Sequence, residues 1–212
     1  MHPAAAKQSA PFIEILSDVD SSLRLAQGDI IRGYSSSLLP VYRPSVTGLT
    51  VVSNSCDLEQ PDRLAHVAVA PIFDLSPWIE QAVNERSRKL QAAGKKPSYE
   101  DALEFLTGRL ESLASYKDKN LFFFPPHPAL DGVAAVARIV QITTLLIAEL
   151  DGLSARRVAS MKPPWRENLG YKVGFLFNRV ATWSPRRQDL ESWLDVEHKG
   201  TITNALGKTI GS

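Results

Sequence analysis

Short apolar runs separated by turn residues dominate the first third of the chain. Gly28-Asp29 stands directly before Ile30-Ile31, and this order predicts a turn that leads into a strand. Two further strands are predicted at 48–53 and 66–72, because both runs are short, rich in β-branched residues and bounded by turn residues. Three strands at this spacing predict a compact antiparallel, barrel-like module over about residues 25–72.

The pattern changes to helical spacing after the third strand. Ser76-Pro77 is typical of an N-cap followed by proline in the first helical turn, and the Gly-Lys-Lys-Pro run at 94–97 ends that helix. Ser98 and Asp101 form the pattern of a capping box at the start of a second amphipathic helix. The sequence therefore predicts a helical hairpin over 76–118, inserted between strands of the module.

Strand character returns in the second half of the chain. The aromatic run at 121–124 is stopped by Pro125-Pro126, and β-branched clusters over 133–147 predict one or two strands, with a helix as the alternative. A short helix is predicted over 154–160. Pro163-Pro164 then begins an amphipathic helix whose apolar residues share one face.

These elements predict an α+β fold, in which a small antiparallel β-barrel is elaborated by an inserted helical hairpin and a C-terminal amphipathic helix. The hydrophobic share of 44 % supplies enough apolar side chains for a core of this size. The chain is predicted to consist of a disordered N-terminus at 1–10, a single α+β domain at 11–199 and a flexible tail at 200–212. Within the domain, strands are predicted at about 25–72 and 121–147, the helical insertion at 76–118 and the C-terminal helices at 153–181.

Charge and cysteine content exclude several classes of protein. The formal net charge of the 212 residues is +1, so no bulk charge draws the chain to nucleic acid or membrane. Cys56 is the single cysteine, which excludes an intramolecular disulfide and a cysteine-rich zinc site and fits a reducing compartment. The N-terminal segment lacks the apolar core of a secretory signal, and polar residues interrupt the apolar stretch at 132–150. A cytoplasmic location without a membrane span is therefore expected.

The step Cys56-Asp57, which follows the strand at 48–53, is the first candidate for chemistry. A cysteine nucleophile needs a base beside it in space, and His66 and His127 are the candidates for that base. The alternative is a buried cysteine that closes the strand, with the aspartate satisfying the next turn. No two of these residues show close metal-ligand spacing, so neither a metal nor another cofactor is expected.

A basic region spans 152–187, where eight Lys or Arg residues stand against Glu167 alone, a local charge of 8 − 1 = +7. Aromatic residues interleave with these charges, and the mixture is typical of proteins that contact phosphates and stack on bases. The same aromatics fit the core-facing stripe of the predicted helix, so a solvated face or an acidic partner is the alternative. The candidate contact residues are Arg156, Arg157, Lys162, Arg166, Lys172, Arg179, Arg186 and Arg187.

Three segments of the chain resemble the PemK/MazF group of SH3-like barrels. They are Gly28-Asp29-Ile30-Ile31, the Arg43-Pro44 step and the strand end Val51-Val52-Ser53. The resemblance implies an SH3-like barrel over 25–72 and the activity of a toxin endoribonuclease, which cleaves single-stranded RNA without a metal. It assigns the transition-state charge to Arg43 and a substrate hydrogen bond to Ser53. The chain departs from the group at 45–50, which separate the Arg-Pro step from the strand, and in its additional helices.

The step from Ser53 to Cys56-Asp57, together with the late Arg166-Glu167-Asn168-Leu169 segment, is also similar to uncharacterised bacterial proteins of this size. We therefore expect a binding or interaction module of a bacterial stress, toxin–antitoxin or antiphage-defence system that acts through protein–protein contacts. Its polar site candidates are Cys56, Asp57 and His66.

Two other functions stay open at this point. One is a PemK/MazF-like endoribonuclease, and the other is a nucleic-acid-binding protein that uses 152–187. The expected partner is a protein encoded nearby, with RNA, DNA or a second copy of the chain as alternatives and no membrane partner.

Overall fold

The structure is a computed structural model that describes residues 14–19, 24–33, 46–60, 65–146, 150–173 and 186–210. Contacts divide the chain into two compact units. Among the described residues, the helical unit consists of 76–115 and 186–210, and the sheet unit consists of 14–19, 24–33, 46–60, 65–75, 116–146 and 150–173. The sequence predicts a single α+β domain over 11–199, whereas these contacts form two groups.

The sheet unit carries all the described strands. In chain order they are β1 Leu16–Ser17, β2 Ile30–Ile31, β3 Val46–Val51, β4 His66–Asp74, β5 Leu121–Phe124, β6 Ala135–Arg138, β7 Thr143–Leu146 and β8 Arg157–Met161. The helices of this unit are α1 Ser55–Leu58, α4 Leu150–Ser154 and α5 Trp165–Val173, with 3₁₀ helices at Pro128–Leu130 and Ile139–Gln141.

The strands pair antiparallel in the order β1-β8-β2-β3-β4-β6-β5, and β7 pairs with β4 beside β6. The predicted α+β class is therefore confirmed. Since β1 and β5 stand at opposite ends of this order, the described strands form an open sheet. The sequence predicts a closed barrel, which these pairings do not form.

Alternating residues of β4 place apolar side chains on both faces of the sheet. Val67 and Val69 pack on one face, in a cluster with Leu25, Ile31, Leu49, Val51, Leu58, Leu145 and Leu153. Ala70 and Ile72 pack on the other face, in a cluster that includes Ile30, Phe122, Phe124, Trp165 and Leu169. Trp165 and Leu169 are the residues of α5 that pack in this second cluster.

The described helices of the helical unit are α2 Leu75–Ala92, α3 Tyr99–Ala114, α6 Arg187–Glu197 and α7 Lys199–Ile210; Leu75 itself belongs to the sheet unit. The predicted cap of α3 is confirmed, since the Ser98 hydroxyl accepts from the Asp101 N–H (3.1 Å). The Tyr99 hydroxyl donates to the Asp195 carboxylate and joins α3 to α6. No helix among the described residues is long and apolar enough to cross a membrane.

Two predicted segments have a different structure. Residues 157–161 form β8, where the sequence predicts helix, because they pair with both β1 and β2. Residues 200–210 belong to α7, where the sequence predicts a flexible tail, because Ile202, Ala205 and Leu206 bury one helix face. The predicted disordered segment at 1–10 and the end of the predicted helix at 174–181 lie outside the described residues.

Candidate functional site

The Gly28-Asp29 turn ties three strands of the sheet together. The Gly28 N–H donates to the Val51 carbonyl (2.8 Å), and the Gly28 carbonyl accepts from the Met161 N–H (3.2 Å). Gly28 has a φ of +83°, and a β-carbon there would lie 2.7 Å from the Met161 β-carbon. The backbone conformation and the close approach of β8 both require glycine at this position.

Asp29 and Arg157 form a buried ion pair directly behind the turn. Their side chains are 1 % and 4 % exposed. The Asp29 Oδ2 accepts from Nη1 of Arg157 (3.0 Å) and from the Ala26 N–H (2.8 Å), and Oδ1 accepts from the Ser160 hydroxyl (2.6 Å). These bonds fix β8 against the turn, so this carboxylate and this guanidinium serve the fold rather than an external ligand.

Gln27 connects this turn to the loop after β3 and to α5. Its backbone N–H donates to the Ser55 hydroxyl (3.1 Å), and its Nε2 donates to the Val52 carbonyl (2.9 Å). Gly170 lets α5 lie close to the Gln27 side chain, because a β-carbon at position 170 would lie 2.9 Å from the Gln27 Oε1. A larger residue in place of Gly170 would push the helix and the loop apart.

Arg166 completes this arrangement one helical turn before Gly170. Its Nη2 donates to the Met161 carbonyl (3.1 Å), and its side chain passes beside Gly28. The Gly-Asp turn, the Ser-x-x-Cys-Asp step and the Arg-Glu-x-Leu helix therefore meet at one place. We call Gln27, Ser55, Arg166 and Gly170 the Gln27 junction.

The loop Ser53 to Asp57, which we call the braced loop, is held from inside and exposed at its tip. The Ser53 hydroxyl accepts from the Ala68 N–H (2.8 Å), and the Asn54 Oδ1 accepts from the Cys56 N–H (3.0 Å). Cys56 and Asp57 are exposed, and no described residue forms a hydrogen bond or ion pair with either side chain. The interpretation of Cys56 as a buried residue is wrong, because the Asn54 cap starts α1 and turns the thiol outward.

Neither candidate base forms a bond with Cys56. His66 is exposed at the first residue of β4. His127 is 7 % exposed, its Nδ1 accepts a backbone N–H, and its Nε2 lies 4.0 Å from the Glu14 carboxylate. Within the described ranges, no three His, Cys, Asp or Glu side chains are grouped so that they could hold a metal ion.

Each predicted basic contact residue that the structure describes already has a partner within the chain. In the sheet unit, Arg156 donates to the Gly33 carbonyl, Arg157 pairs with Asp29, Lys162 pairs with Glu14, Arg166 donates to the Met161 carbonyl, and Lys172 donates to the Asp118 and Leu121 carbonyls. In the helical unit, Arg186 pairs with Asp189 and Arg187 with Glu104. Arg179 lies outside the described residues, as does Arg43.

Lys172 is enclosed beside the outer edge of β5. Its Nζ lies 5.6 Å from the ring centroid of Tyr116 and 5.8 Å from that of Phe122, and it donates to the two backbone carbonyls named above. Burial lowers the pKa of the Lys172 ammonium to about 8. The Lys172 ammonium therefore joins α5 to the backbone of Asp118 and Leu121, although its burial costs desolvation free energy.

We expect the protein to become more stable as the pH rises above 8. The lowered pKa of Lys172 means that the unfolded chain binds more protons than the folded protein between pH about 8 and 10.5. The free energy of unfolding should therefore rise by roughly 1–2 kcal/mol between roughly pH 8 and 9.5. Lys172→Met should remove most of this rise, and the exposed Lys89→Met should keep it. Urea unfolding at several pH values measures the slopes, and equal slopes in all three proteins would contradict the expectation.

Gln27 and Gly170 were not predicted from the sequence. The glycine at position 170 does not by itself indicate close packing, since a β-carbon at Gly108 inside α3 would meet, apart from its neighbours in the helix, no atom of the described residues within 4 Å. The fold and the site define an α+β protein with an open antiparallel sheet and a braced polar loop. No protein-family model matches the chain, and no curated protein or solved structure matches it.

Proposed function

We propose that the protein is a binding module that acts through protein–protein contacts, with the braced loop as its contact surface. The observation that carries this proposal is the contrast within the loop. A side-chain oxygen of each of Ser53, Asn54 and Ser55 accepts a hydrogen bond from a backbone N–H. The side chains of Cys56 and Asp57, in contrast, face solvent without a described partner. A loop that is already ordered loses little conformational entropy when it binds, so its exposed side chains are well suited to recognition.

An endoribonuclease has less support from the same residues. The Ser53 hydroxyl, to which the resemblance gives a substrate hydrogen bond, holds the Ala68 N–H instead. The other residue of that assignment, Arg43, lies outside the described residues. Cys56 has no bonded base within them that could activate its thiol.

Nucleic-acid binding through 152–187 also has less support. Phosphate contacts need cations that are free to leave their neighbours. Arg157 is buried against Asp29, and Lys172 is enclosed by two carbonyls and two rings. The +7 charge counted along the sequence therefore overstates the charge that a nucleic acid would meet.

The setting of the proposed module is a bacterial stress, toxin–antitoxin or antiphage-defence system. The resemblance to the PemK/MazF group supports this setting. For the fold, the same resemblance supports an SH3-like arrangement of β2, β3 and β4 within the open sheet.

Asp57→Arg tests the proposed contact surface. We expect affinity purification of the tagged full chain from its native cells to recover a partner protein. The reversed charge at the loop tip should lower that recovery by about tenfold, a loss of about 1.4 kcal/mol of binding free energy. Asp18→Arg, another exposed carboxylate of the sheet unit, is the matched control and should recover the partner as the parent chain does.

Three results would count against the proposal. The chain is not a protein-binding module if it is recovered without another protein. The braced loop is not the surface if Asp57→Arg and Asp18→Arg behave alike. Cleavage of single-stranded RNA that Arg43→Ala abolishes would replace the proposal with the endoribonuclease.

A further inference from the structure

The outer edge of β5 is closed to other strands. The Asn120 carbonyl accepts from the Ile139 N–H, so residues 120, 122 and 124 bond to β6, and Leu121 and Phe123 face outward. Outward backbone groups of both residues have partners from their own chain. The Leu121 N–H donates to the Asp118 carboxylate (3.1 Å), the Leu121 carbonyl accepts from Lys172, and the Phe123 carbonyl accepts from the Tyr116 hydroxyl (3.1 Å).

The outer edge of β7, in contrast, has backbone groups without partners among the described residues. The Ala68 carbonyl accepts from two N–H groups that follow β3, so Ala68 faces β3 and its neighbours Val67 and Val69 face β7. Val67 and Val69 are in register with Leu145 and Thr143. The N–H and C=O groups of the alternate residues, Thr144 and Leu146, therefore point away from the sheet.

Nothing in the described part of the chain covers these two residues. No described residue bonds to the outward backbone groups of Thr144 or Leu146, and Thr144 is exposed. Leu146 is 56 % exposed. At the far end of the sheet, β1 is also an edge, but its two residues are too few to template another strand.

The outward residues of β7 are complementary to themselves. When two antiparallel copies are placed so that Leu145 faces its own copy, Thr144 of each chain stands opposite Leu146 of the other. The outward N–H and C=O groups then meet in two reciprocal pairs. This register is the one that uses both outward residues of both copies.

The charge pattern of this edge favours the same partner. A two-fold interface places each residue near its own copy, so a charged edge would repel itself. The run from Ile139 to Ala148 contains no charged residue and no proline, which are the usual guards of an exposed edge. Within the part of the chain that the structure describes, the β7 edge therefore carries neither of these guards against pairing with an identical strand.

We infer that a second copy of this chain pairs with β7, so that two sheet units form one continuous antiparallel sheet across a two-fold axis. This inference goes beyond the proposed function, because it concerns the β7 edge and not the braced loop. The two surfaces can therefore fail or succeed independently.

Thr144→Pro tests the inference in the full chain. Proline removes the outward N–H of residue 144 and leaves the bonds to β4 in place, since an edge strand tolerates proline where its N–H faces solvent. The parent chain should sediment as a dimer of twice 23.3 kDa at high concentration. Because the two-fold axis repeats the contact, the substitution removes two hydrogen bonds from each dimer. The dissociation constant of the dimer should therefore rise at least about tenfold.

Leu146→Lys is the second variant, because it introduces a charge at the same edge without touching the backbone. Val196→Lys is the control, since Val196 is 66 % exposed on α6 of the helical unit. Circular dichroism confirms that each variant is folded. The inference is overturned if the parent chain sediments as a monomer at every concentration, or if both β7 variants leave the dimer intact. A dimer that Val196→Lys weakens as much as Leu146→Lys also overturns it.

Discussion

Asp29→Ala should lower the free energy of unfolding by roughly 3–5 kcal/mol, because it leaves the buried Arg157 guanidinium without its carboxylate. The loss also strands the Ala26 N–H and the Ser160 hydroxyl, which both donate to Asp29. Chemical denaturation followed by far-UV circular dichroism measures the change. The effect is large because a buried guanidinium that loses its carboxylate costs more than the pair contributes.

Two further variants separate this explanation from a general loss of packing. Arg157→Met in the Asp29→Ala background removes the stranded charge and should recover at least half of the lost stability. Asp131→Ala removes the partner of Arg32, a bidentate pair at 2.7 and 2.6 Å in which the aspartate is 68 % exposed. Its loss should be much smaller, because solvent screens an exposed pair. An equal loss in Asp29→Ala and Asp131→Ala would contradict the role of burial.

Gly28→Ala should destabilise the protein by about 2–4 kcal/mol. A β-carbon at a φ of +83° costs about 1 kcal/mol. The same atom would lie 2.7 Å from the Met161 β-carbon, and overpacking of this kind costs about 1–3 kcal/mol more. The Met161 β-carbon is anchored to β8, so the clash is relieved only by moving the strand.

Gly94→Ala is the matched control for this prediction. Gly94 also has a positive φ, +70°, but apart from its chain neighbours no atom of the described residues lies within 4 Å of the position that a β-carbon would take. We expect only the conformational cost of about 1 kcal/mol there. Thermal unfolding compares the stabilities of the two variants. Equal losses of stability would show that the contact with Met161 does not contribute to the effect of Gly28→Ala.

Local patterns were sufficient for several elements. The aromatic run at 121–124 is β5, and the β-branched run from His66 is β4. The capping pair before α3 was readable because its two residues are three apart in the sequence. In these segments the information lies within one turn or one strand, and tertiary packing does not override it.

The elements that the sequence did not reveal depend on partners far along the chain. β8 is a strand because it lies between β1 and β2, and its register pairs join residues more than 120 positions apart, such as Ile31 and Arg157. α7 contains Gly200 and Gly207, which weaken a helix in isolation, and its buried face outweighs them. The closed barrel was predicted from three strands whose neighbours in the sheet were unknown.

The candidate site divides in the same way. The turn at Gly28 was predictable, because glycine before a β-branched strand has a local meaning. The Gln27 junction was not, since Gln27 meets Ser55 and Gly170 across long stretches of sequence. The basic region was misleading for a related reason: a count of charges along the chain does not show that Arg157 has a buried partner at Asp29.

The division of the helical unit into two separated stretches of sequence has a consequence for synthesis. Tyr99 and Asp195, which join α3 to α6, are 96 positions apart, and the second half of the sheet unit is translated between them. The parts of α3 that α6 and α7 contact therefore leave the ribosome long before those two helices exist. A chain that ends before residue 187 lacks α6 and α7, so the α3 surface that they contact is exposed to solvent. Such an incomplete product is a substrate for chaperones and proteases.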